Sequence, residues 1–577
     1  MHQIYRWAAV SGSAIAALTA LTVNGLAQPS PPARVPISPN TPDIERNTPK
    51  PSESPPPFPD ANPPASSPPP SLEIPVTPSP SETFPLPGTP FFVKKIEVLG
   101  SAVLRNEIAD LVKKYENKEL TFENLLDLRS KITQLYVENG YVTSGAFLPN
   151  NQLIAQGIVR IQVVEGELER IEVSGLRHLR ESYVRRRLEL GAKPPLNQRR
   201  LEESLQLLQI DPVIAQVNAE LTAGSTPGRN ILRVQVKEAP AFHAGVEINN
   251  SQSPSIGSIQ GSVFAEHDNL LGFGDRLSAT YGKTEGLDLY DFSYTLPVNP
   301  RNGSVNLRYS NDSSEIVESP FQDLGIRSET RTVSLGFRQP LVRSPRQEFA
   351  LGLSLDLRRS QTYILDEIPF SFSEGPENGE SKVTVIRFFQ DWLRRDANRV
   401  LAARSQFSFG INAFDATVND SGTDGRFFAW LGQFQWVQQL APRVLLVSQI
   451  AAQLTPDSLL PLEQFSIGGI NTVRGYRENQ LVADNGVLGS IEFRIPLTYD
   501  PRVLQITPFF EMGSVWNNRR ADPEPKTIAS LGLGLRWQIG TDLTLRFDYG
   551  IQLIDVENSG DSLQDHGIYF SLRYQPF

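Results

Sequence analysis

The sequence predicts an all-β transmembrane barrel of about 16 antiparallel strands, preceded by two small α+β domains. Three observations predict it. From Pro240 to the C-terminus apolar and polar residues alternate with a period of two, in runs separated by turns rich in Asn, Asp, Gly and Pro. The runs are about ten residues long, the length a tilted strand needs to cross a bilayer. Between Phe91 and Ala239 a unit of about 75 residues occurs twice.

Composition narrows the functional classes. At 577 residues the chain exceeds one ordinary soluble domain. A formal net charge of −10 argues against a nucleic-acid partner. With no cysteine there is no disulfide framework, thiolate metal site or cysteine nucleophile. The five histidines (His2, His178, His243, His267, His566) show no pair at metal-ligand spacing, so no metal or cofactor is implied. A mean hydropathy of −0.26 resembles that of a soluble protein. Membrane barrels share that property because half of each strand faces a polar lumen.

Residues 1–27 read as a secretory signal. Arg6 closes a mildly basic start, Trp7 to Val23 form a short apolar core, and Gly25-Leu26-Ala27 supplies small residues for cleavage. An uncleaved membrane anchor is the alternative. Residues 28–90 form a linker that holds 23 of the 46 prolines, including Pro55-Pro56-Pro57 and Pro68-Pro69-Pro70. Such a composition favours polyproline II and cannot build a core, so a spacer is expected, or else a proline-rich ligand for a periplasmic partner. No amphipathic helix is evident before it, so a pore-plugging helix is not expected.

The repeats span 91–167 and 168–239. Ile96-Glu97-Val98-Leu99-Gly100 recurs as Ile171-Glu172-Val173-Ser174-Gly175, and Ile158-Val159-Arg160-Ile161-Gln162-Val163 recurs as Ile231-Leu232-Arg233-Val234-Gln235-Val236. Each copy reads as strand, helix, helix, strand, strand. In the first, Thr121 caps the second helix, Glu123 sits near its positive end, Leu125, Leu128, Ile132 and Leu135 form its apolar stripe, and Gly140 ends it. In the second, Asn197 is the cap and Leu201, Leu205 and Leu208 the stripe. These leucines are core positions.

Residues 240–577 form the barrel. Tyr290, Phe292, Tyr294 and Leu296 alternate with Asp291, Ser293 and Thr295. Phe349, Leu351, Leu353, Leu355 and Leu357 alternate with Ala350, Gly352, Ser354 and Asp356, and Leu543 to Ile551 repeat the pattern. A soluble β-sandwich also alternates. Strand length and aromatics such as Trp430, Trp436 and Trp537, read as lying at strand ends, favour the membrane, where only a closed barrel satisfies every backbone group. Roughly 340 residues at about 20 per strand and connection give about 16 strands.

Several motifs carry a resemblance to a known family. Gly468-Gly469-Ile470-Asn471-Thr472-Val473-Arg474-Gly475-Tyr476 resembles the Val-Arg-Gly-Phe/Tyr signature on the inward loop of outer-membrane protein insertases and two-partner secretion transporters. Phe509-Phe510-Glu511-Met512-Gly513 resembles the companion Phe-x-Asp-x-Gly, with glutamate in place of aspartate. Asn269, Gly272, Gly274 and Asp275 match the Asn-Leu-x-Gly-x-Gly-Asp turn at the barrel's start. Gly140-Tyr141-Val142-Thr143-Ser144, Leu148 to Leu153 and Val164-Glu165-Gly166 resemble the first polypeptide-transport-associated (POTRA) domain of those transporters. The terminal Phe577 resembles the signal read by the barrel assembly machinery, although Pro576 shifts it out of register with Tyr574.

The resemblance implies a two-partner (type Vb) secretion transporter of the hemolysin activation/secretion family, within the insertase superfamily. Its expected partner is a large, unfolded, β-rich secreted protein of hemolysin or filamentous-adhesin type, bound by the POTRA domains and passed through the barrel. Outer-membrane lipid, lipopolysaccharide and the barrel assembly machinery are the further expected partners; nucleic acid is not. The inward loop is placed around residues 465–485, and its Arg474 is expected to pair with Glu511. Val473, Gly475, Tyr476 and Gly513 complete that site. The pair either gates the pore or only stabilises the barrel. Two repeats favour a secretion transporter over the alternative, an insertase that assembles other barrels. A solute pore would leave the repeats without a task. An enzyme is not expected: no Ser/His/Asp arrangement stands out, and His267 beside Asp268 reads as a solvated turn residue.

Overall fold

A computed structural model describes residues 72–73, 88, 90–150, 157–556 and 560–577. The signal segment, nearly all of the linker and Asn151-Gln152-Leu153 lie outside the described residues. The chain divides into two compact units, Ser66–Pro240 with Leu271–Gly274, and the remainder from Ala241.

In the first unit a short strand β1 (Leu72–Glu73) comes first. The first repeat contains β2 (Phe91–Val93), β3 (Lys95–Leu99), α1 (Arg105–Val112), β4 (Lys118–Leu120), α2 (Phe122–Glu138), β5 (Gly145–Phe147) and β6 (Ile158–Val164). The second contains β7 (Glu167–Ser174), α3 (Glu181–Gly191), α4 (Gln198–Gln209), β8 (Ile214–Ala223) and β9 (Arg229–Glu238). The two sheets share one topology, β3-β6-β5 and β7-β9-β8, with the first pair of each parallel. The antiparallel pair β2–β4 is an addition found in the first repeat.

The helix ends follow the sequence. Thr121 accepts from the Asn124 N–H and Asn124 reciprocates, a capping box that fixes the start of α2. The buried stripe of α2 runs Leu125, Leu128, Ile132 and Tyr136; Leu135 stands beside it, half-buried. Asn197 accepts from Arg200 N–H to cap α4, and its amide donates to Asn139 O, 3.0 Å away, at the end of α2. Gln198 N–H reaches Gly140 O at 2.8 Å, so the end of one repeat's helix meets the start of the other's.

A second duplicated device uses Glu165, of the Val164-Glu165-Gly166 stretch, and Glu238 at the corresponding end of the second repeat. In the first repeat the Glu165 carboxylate accepts from Ala102 and Val103 N–H at 2.7 and 3.0 Å. In the second, Glu238 accepts from Arg177, His178 and Leu179 N–H at 2.6, 3.0 and 2.9 Å. Each glutamate ties the turn after its repeat's first strand to the end of its last.

The second unit is a closed antiparallel barrel. Its sixteen strands are β10 (Phe242–Asn249), β11 (Gln260–Asp268), β12 (Arg276–Lys283), β13 (Leu287–Pro297), β14 (Ser304–Glu315), β15 (Arg327–Arg343), β16 (Gln347–Ile364) and β17 (Glu380–Arg395), then β18 (Arg399–Ile411), β19 (Phe428–Ala441), β20 (Val444–Leu454), β21 (Asn485–Pro496), β22 (Leu504–Trp516), β23 (Thr527–Ile539), β24 (Leu543–Gln552) and β25 (Ile568–Tyr574). Each pairs with its neighbour in sequence. The first and last close the ring over four pairs, Val246↔Tyr574 to Asn249↔Ser571.

Alternation has its expected meaning. Phe292 on β13, Leu307 on β14, and Leu335 and Phe337 on β15 are exposed on the outer face, while Thr330, Thr332, Asp356 and Ser360 are buried on the inner one. An apolar exterior around a polar interior is the pattern of a barrel in lipid. Two sequence readings are corrected, for Trp436 and His267. Trp436 lies within β19, not at its end. His267 lies in β11, not in a turn, because the strand extends through Asp268. Phe577 stands beyond the last strand, which ends at Tyr574; its ring instead meets Phe242, 6.4 Å between centroids.

Burial raises the Glu238 pKa, but the backbone N–H groups of Arg177, Leu179 and His178 outweigh it and hold the carboxyl below its ordinary value. Its contribution to stability is therefore complete above the ordinary carboxylate range and is lost as pH falls through the depressed folded value. Glu238→Gln is expected to destabilise the second repeat by about 1–3 kcal/mol at neutral pH. The penalty should shrink on acidification, as read by hydrogen exchange of β7 to β9 amides in the intact chain.

Candidate functional site

The connection between β20 and β21 does not stay at the barrel's rim. From Pro461 to Gly486 every residue is buried except Asn471, Arg477 and Glu478. Phe465–Ile467 and Leu481–Ala483 pair as an antiparallel hairpin, and residues 468–480 form its tip. The inward loop expected around 465–485 is thus part of a longer segment, 455–484.

The wall facing the tip is built by strand periodicity. On β22, Phe510 and Met512 are exposed outward, so Phe509, Glu511 and Gly513 face inward. By the same parity Glu492 lies between exposed Ile491 and Phe493 on β21, and Asp548 between exposed Phe547 and Tyr549 on β24. A five-residue motif and two single acids therefore present one lumen-facing patch.

Arg474 enters that patch and is 3 % exposed. Its backbone N–H donates to Glu511 Oε2 at 2.7 Å and its Nε to Oε1 at 2.9 Å; Nη2 also donates to Oε1. Nη1 donates to Glu492 Oε2 at 3.0 Å and Asp548 Oδ1 at 2.7 Å. The guanidinium lies 3.5 Å from the Phe509 ring centroid, a cation–π contact. The predicted Arg474–Glu511 pair is present, and Phe509 of the same motif joins it; Glu492 and Asp548 were missed because their importance depends on strand register. Glutamate reaches Arg474 from this wall despite being one methylene longer than aspartate.

The neighbours of Arg474 explain the rest of the signature. Val473 is buried against Phe465, Ile467 and Leu481 in a small core of the loop. Gly475 has φ +102° and its backbone abuts Gly550, where a β-carbon would lie 2.7 Å from Gly475 N. Both positions therefore need glycine. The Tyr476 hydroxyl lies 2.8 Å from both Ala529 O and Ile554 O, and the Tyr569 hydroxyl donates to Tyr476 O. Gly513 makes room for the loop, since a β-carbon there would meet Ile467 at 2.9 Å.

Two more charged contacts anchor the segment. Glu463 accepts from Arg358 Nη1 at 2.8 Å and from Arg387 Nη2 at 2.9 Å, and Arg387 Nε donates to Asp356 at 2.6 Å, all buried. Arg477 bridges Glu318 and Asp565, which lie in the β14–β15 and β24–β25 connections. The sequence offered no signal for either, since their partners lie more than 70 residues away.

The barrel-start residues stand apart from this site, in the β11–β12 turn. Asn269 N–H donates to Asp275 O across the turn, and Asn269, Gly272 and Gly274 have φ of +83°, +85° and +70°. The buried Asp275 carboxylate accepts from the Tyr294 hydroxyl at 3.0 Å. These residues shape a turn.

Arg474→Ala removes the salt-bridge cation of Glu511, while Glu492 keeps Arg494 and Arg536 and Asp548 keeps Arg546. The expected cost to the docked loop is about 3–5 kcal/mol, read as faster hydrogen exchange at residues 465–485. Unchanged protection would show that Arg474 does not hold the loop.

Comparison with known proteins supplies the family. The profile described as haemolysin secretion/activation protein ShlB/FhaC/HecB matches residues 228–537, and the ShlB-type POTRA domain matches 91–166. Among curated relatives, the outer membrane transporter CdiB of Escherichia coli is 25 % identical over 435 residues, covering 72 % of this chain and 71 % of its own. The heme/hemopexin transporter protein HuxB of Haemophilus influenzae is 21 % identical, covering 74 % and 76 %. The solved structure of CdiB from Escherichia coli superposes with a TM-score of 0.65 at 23 % identity, over 87 % of this chain and 92 % of that one, and so shares the fold. The chain belongs to the haemolysin secretion/activation protein ShlB/FhaC/HecB family: it is an outer-membrane transporter of two-partner secretion, a β-barrel with periplasmic POTRA domains.

Proposed function

We propose that this transporter exports one large, unfolded, β-rich partner, captured by its POTRA domains as an added strand and admitted when the Arg474 loop leaves its seat. The loop's burial carries this reading. A segment buried inside the barrel and gripping the wall by its tip lies in the path that a translocating chain takes.

Capture follows from sheet topology. In the first repeat β5 is an edge strand, with no partner beyond β6 among the described residues, and Phe147 on it is exposed. An edge of this kind binds an extended peptide through main-chain hydrogen bonds, with little demand on its sequence. The periplasm holds no ATP and the sequence has no phosphate-binding loop, so net movement comes from biased diffusion and folding of the partner outside. The barrel assembly machinery inserts the chain by reading its aromatic C-terminus, Phe577, and the finished barrel sits among outer-membrane lipid and lipopolysaccharide.

The test compares secreted and outer-membrane proteomes of the parent strain, a deletion strain and Arg474→Ala. Loss of one or a few large secreted proteins on deletion, with other barrels unchanged, is expected. Broad depletion of barrels would instead identify an insertase. Arg474→Ala at normal barrel levels is expected to change partner export several-fold; unchanged export would remove the gating role.

A further inference from the structure

The inner wall carries more positive charge than the docked loop uses. Arg494 on β21, Arg536 on β23 and Arg546 on β24 all face the lumen, because Phe493, Trp537 and Phe547 beside them are exposed on the outer face. Arg536 and Arg546 are directly opposed in the β23–β24 ladder. Like charges in that position repel and destabilise the pairing unless counter-charge is supplied.

The counter-charge is partial. Arg494 Nε and Arg536 Nη2 donate to the same oxygen, Glu492 Oε1, at 3.0 and 3.4 Å. Arg546 Nε donates to Asp548 Oδ2. The other oxygen of each acid is taken by Arg474 Nη1. A guanidinium is a fork of several N–H donors, so most of each fork is without a protein partner among the described residues. Arg536 Nε is buried and has none there, although the Arg536 side chain as a whole is 32 % exposed. Elsewhere in the lumen arginines are better matched. Arg404 on β18 grips both oxygens of Asp391 at 2.8 and 3.2 Å, and Arg338 on β15 reaches Glu348 at 2.7 Å and Asp391 at 3.0 Å.

Topology fixes where the cluster lies. Antiparallel strands alternate in direction, so the β21–β22 and β23–β24 turns are at the end of the barrel where β10 begins at Phe242. The POTRA domains precede β10 and are periplasmic, so this is the periplasmic mouth. Arg494 follows Glu492 toward that mouth, and Arg546 lies on the mouth side of Asp548. The three arginines therefore stand between the mouth and the seat of Arg474.

We propose that Arg494, Arg536 and Arg546 form a binding site for carboxylate side chains of the unfolded partner. This rests on the reading that the chain exports such a partner. A guanidinium fork takes a carboxylate through parallel N–H···O bonds, and Arg536 and Arg546, being opposed, can hold one between them. The contact recognises charge and not sequence, as an unfolded cargo requires. It also brings the partner beside Glu492 and Asp548, the acids that Arg474 leaves when the loop moves.

The test uses the purified full chain and two dye-labelled peptides, one of Asp, Ser and Gly and one with Asn in place of Asp, both amidated at the C-terminus. Fluorescence anisotropy is expected to show the acidic peptide binding, with affinity falling as salt is added. Arg536→Gln is expected to weaken that binding about tenfold. Binding of the Asn peptide, which reports sites such as the β5 edge, should not change. Arg536→Lys keeps the charge and removes the fork, so its affinity is expected to lie between the two; this variant carries the test if Arg536→Gln forms no barrel. In cells, Arg536→Gln at normal barrel levels is expected to reduce export of the large protein missing from the deletion strain's medium several-fold.

Equal affinity of the native chain and the variants for the acidic peptide would overturn the proposal and leave the arginines as counter-charges for Glu492 and Asp548. That structural role alone predicts faster hydrogen exchange at residues 465–485 with peptide binding unchanged. Weakened peptide binding with unchanged export would show that the partner does not use the site, and would leave the transport reading standing. Failure of that reading has its own signature, a deletion strain whose secreted proteins are unchanged.

Discussion

The docked tip of the inward loop is fixed to the wall by one buried cation. Arg474 is the point at which a long connection is fixed to the inner wall, and it faces Glu511, Glu492 and Asp548. These acids are shared with Arg494, Arg536 and Arg546 on the same wall, at 3.0 Å and 3.4 Å from Glu492 in the first two cases. Three carboxylates thus serve four guanidiniums. Arg474 is the member carried by the loop, so docking adds the last positive charge to a patch that the strands have already placed.

On the proposed gating role, such a latch suits a segment that is held and then released. Pairing buried charges recovers little net free energy, because desolvation offsets most of the attraction, while leaving one partner alone is costly. The loop is therefore held sharply in one position without being stabilised far beyond reach. Once water or a translocating chain enters the lumen, both sides of the pair are hydrated and the cost of separation falls. An apolar plug of equal area has no such response. The anchors at Glu463 and Arg477 use the same chemistry on other parts of the wall, so the loop is gripped at three places. A partial disturbance at one place leaves the others engaged.

How much of this was legible depended on whether a signal was local. The duplicated repeats, the caps at Thr121 and Asn197 and the strand alternation were readable because each is set by residues a few positions apart. Arg474, Gly475, Tyr476, Glu511 and Gly513 were readable through the family resemblance, and Arg474 meets Glu511 as expected. Glu492 and Asp548 were not, because the strands that carry them must be brought into register with Glu511 before the three share a surface. The leucine of β1 was also hidden: within a proline-rich run Leu72 looks like any other linker residue, and its partner lies on β8.

The two edge strands extend the same logic from the barrel to the periplasm. An open sheet edge binds peptides without strong sequence preference, which is useful for an unfolded cargo and hazardous among other unfolded chains. β5 is three residues long and two residues of the linker pair with β8, so both edges present a limited length among the described residues. On the proposed reading, a long β-rich partner gains pairing energy residue by residue at such an edge, whereas a brief encounter with another chain gains too little. On that reading, selectivity at the periplasmic end comes from the length of the strand a partner can offer, and closure at the membrane end from the Arg474 loop.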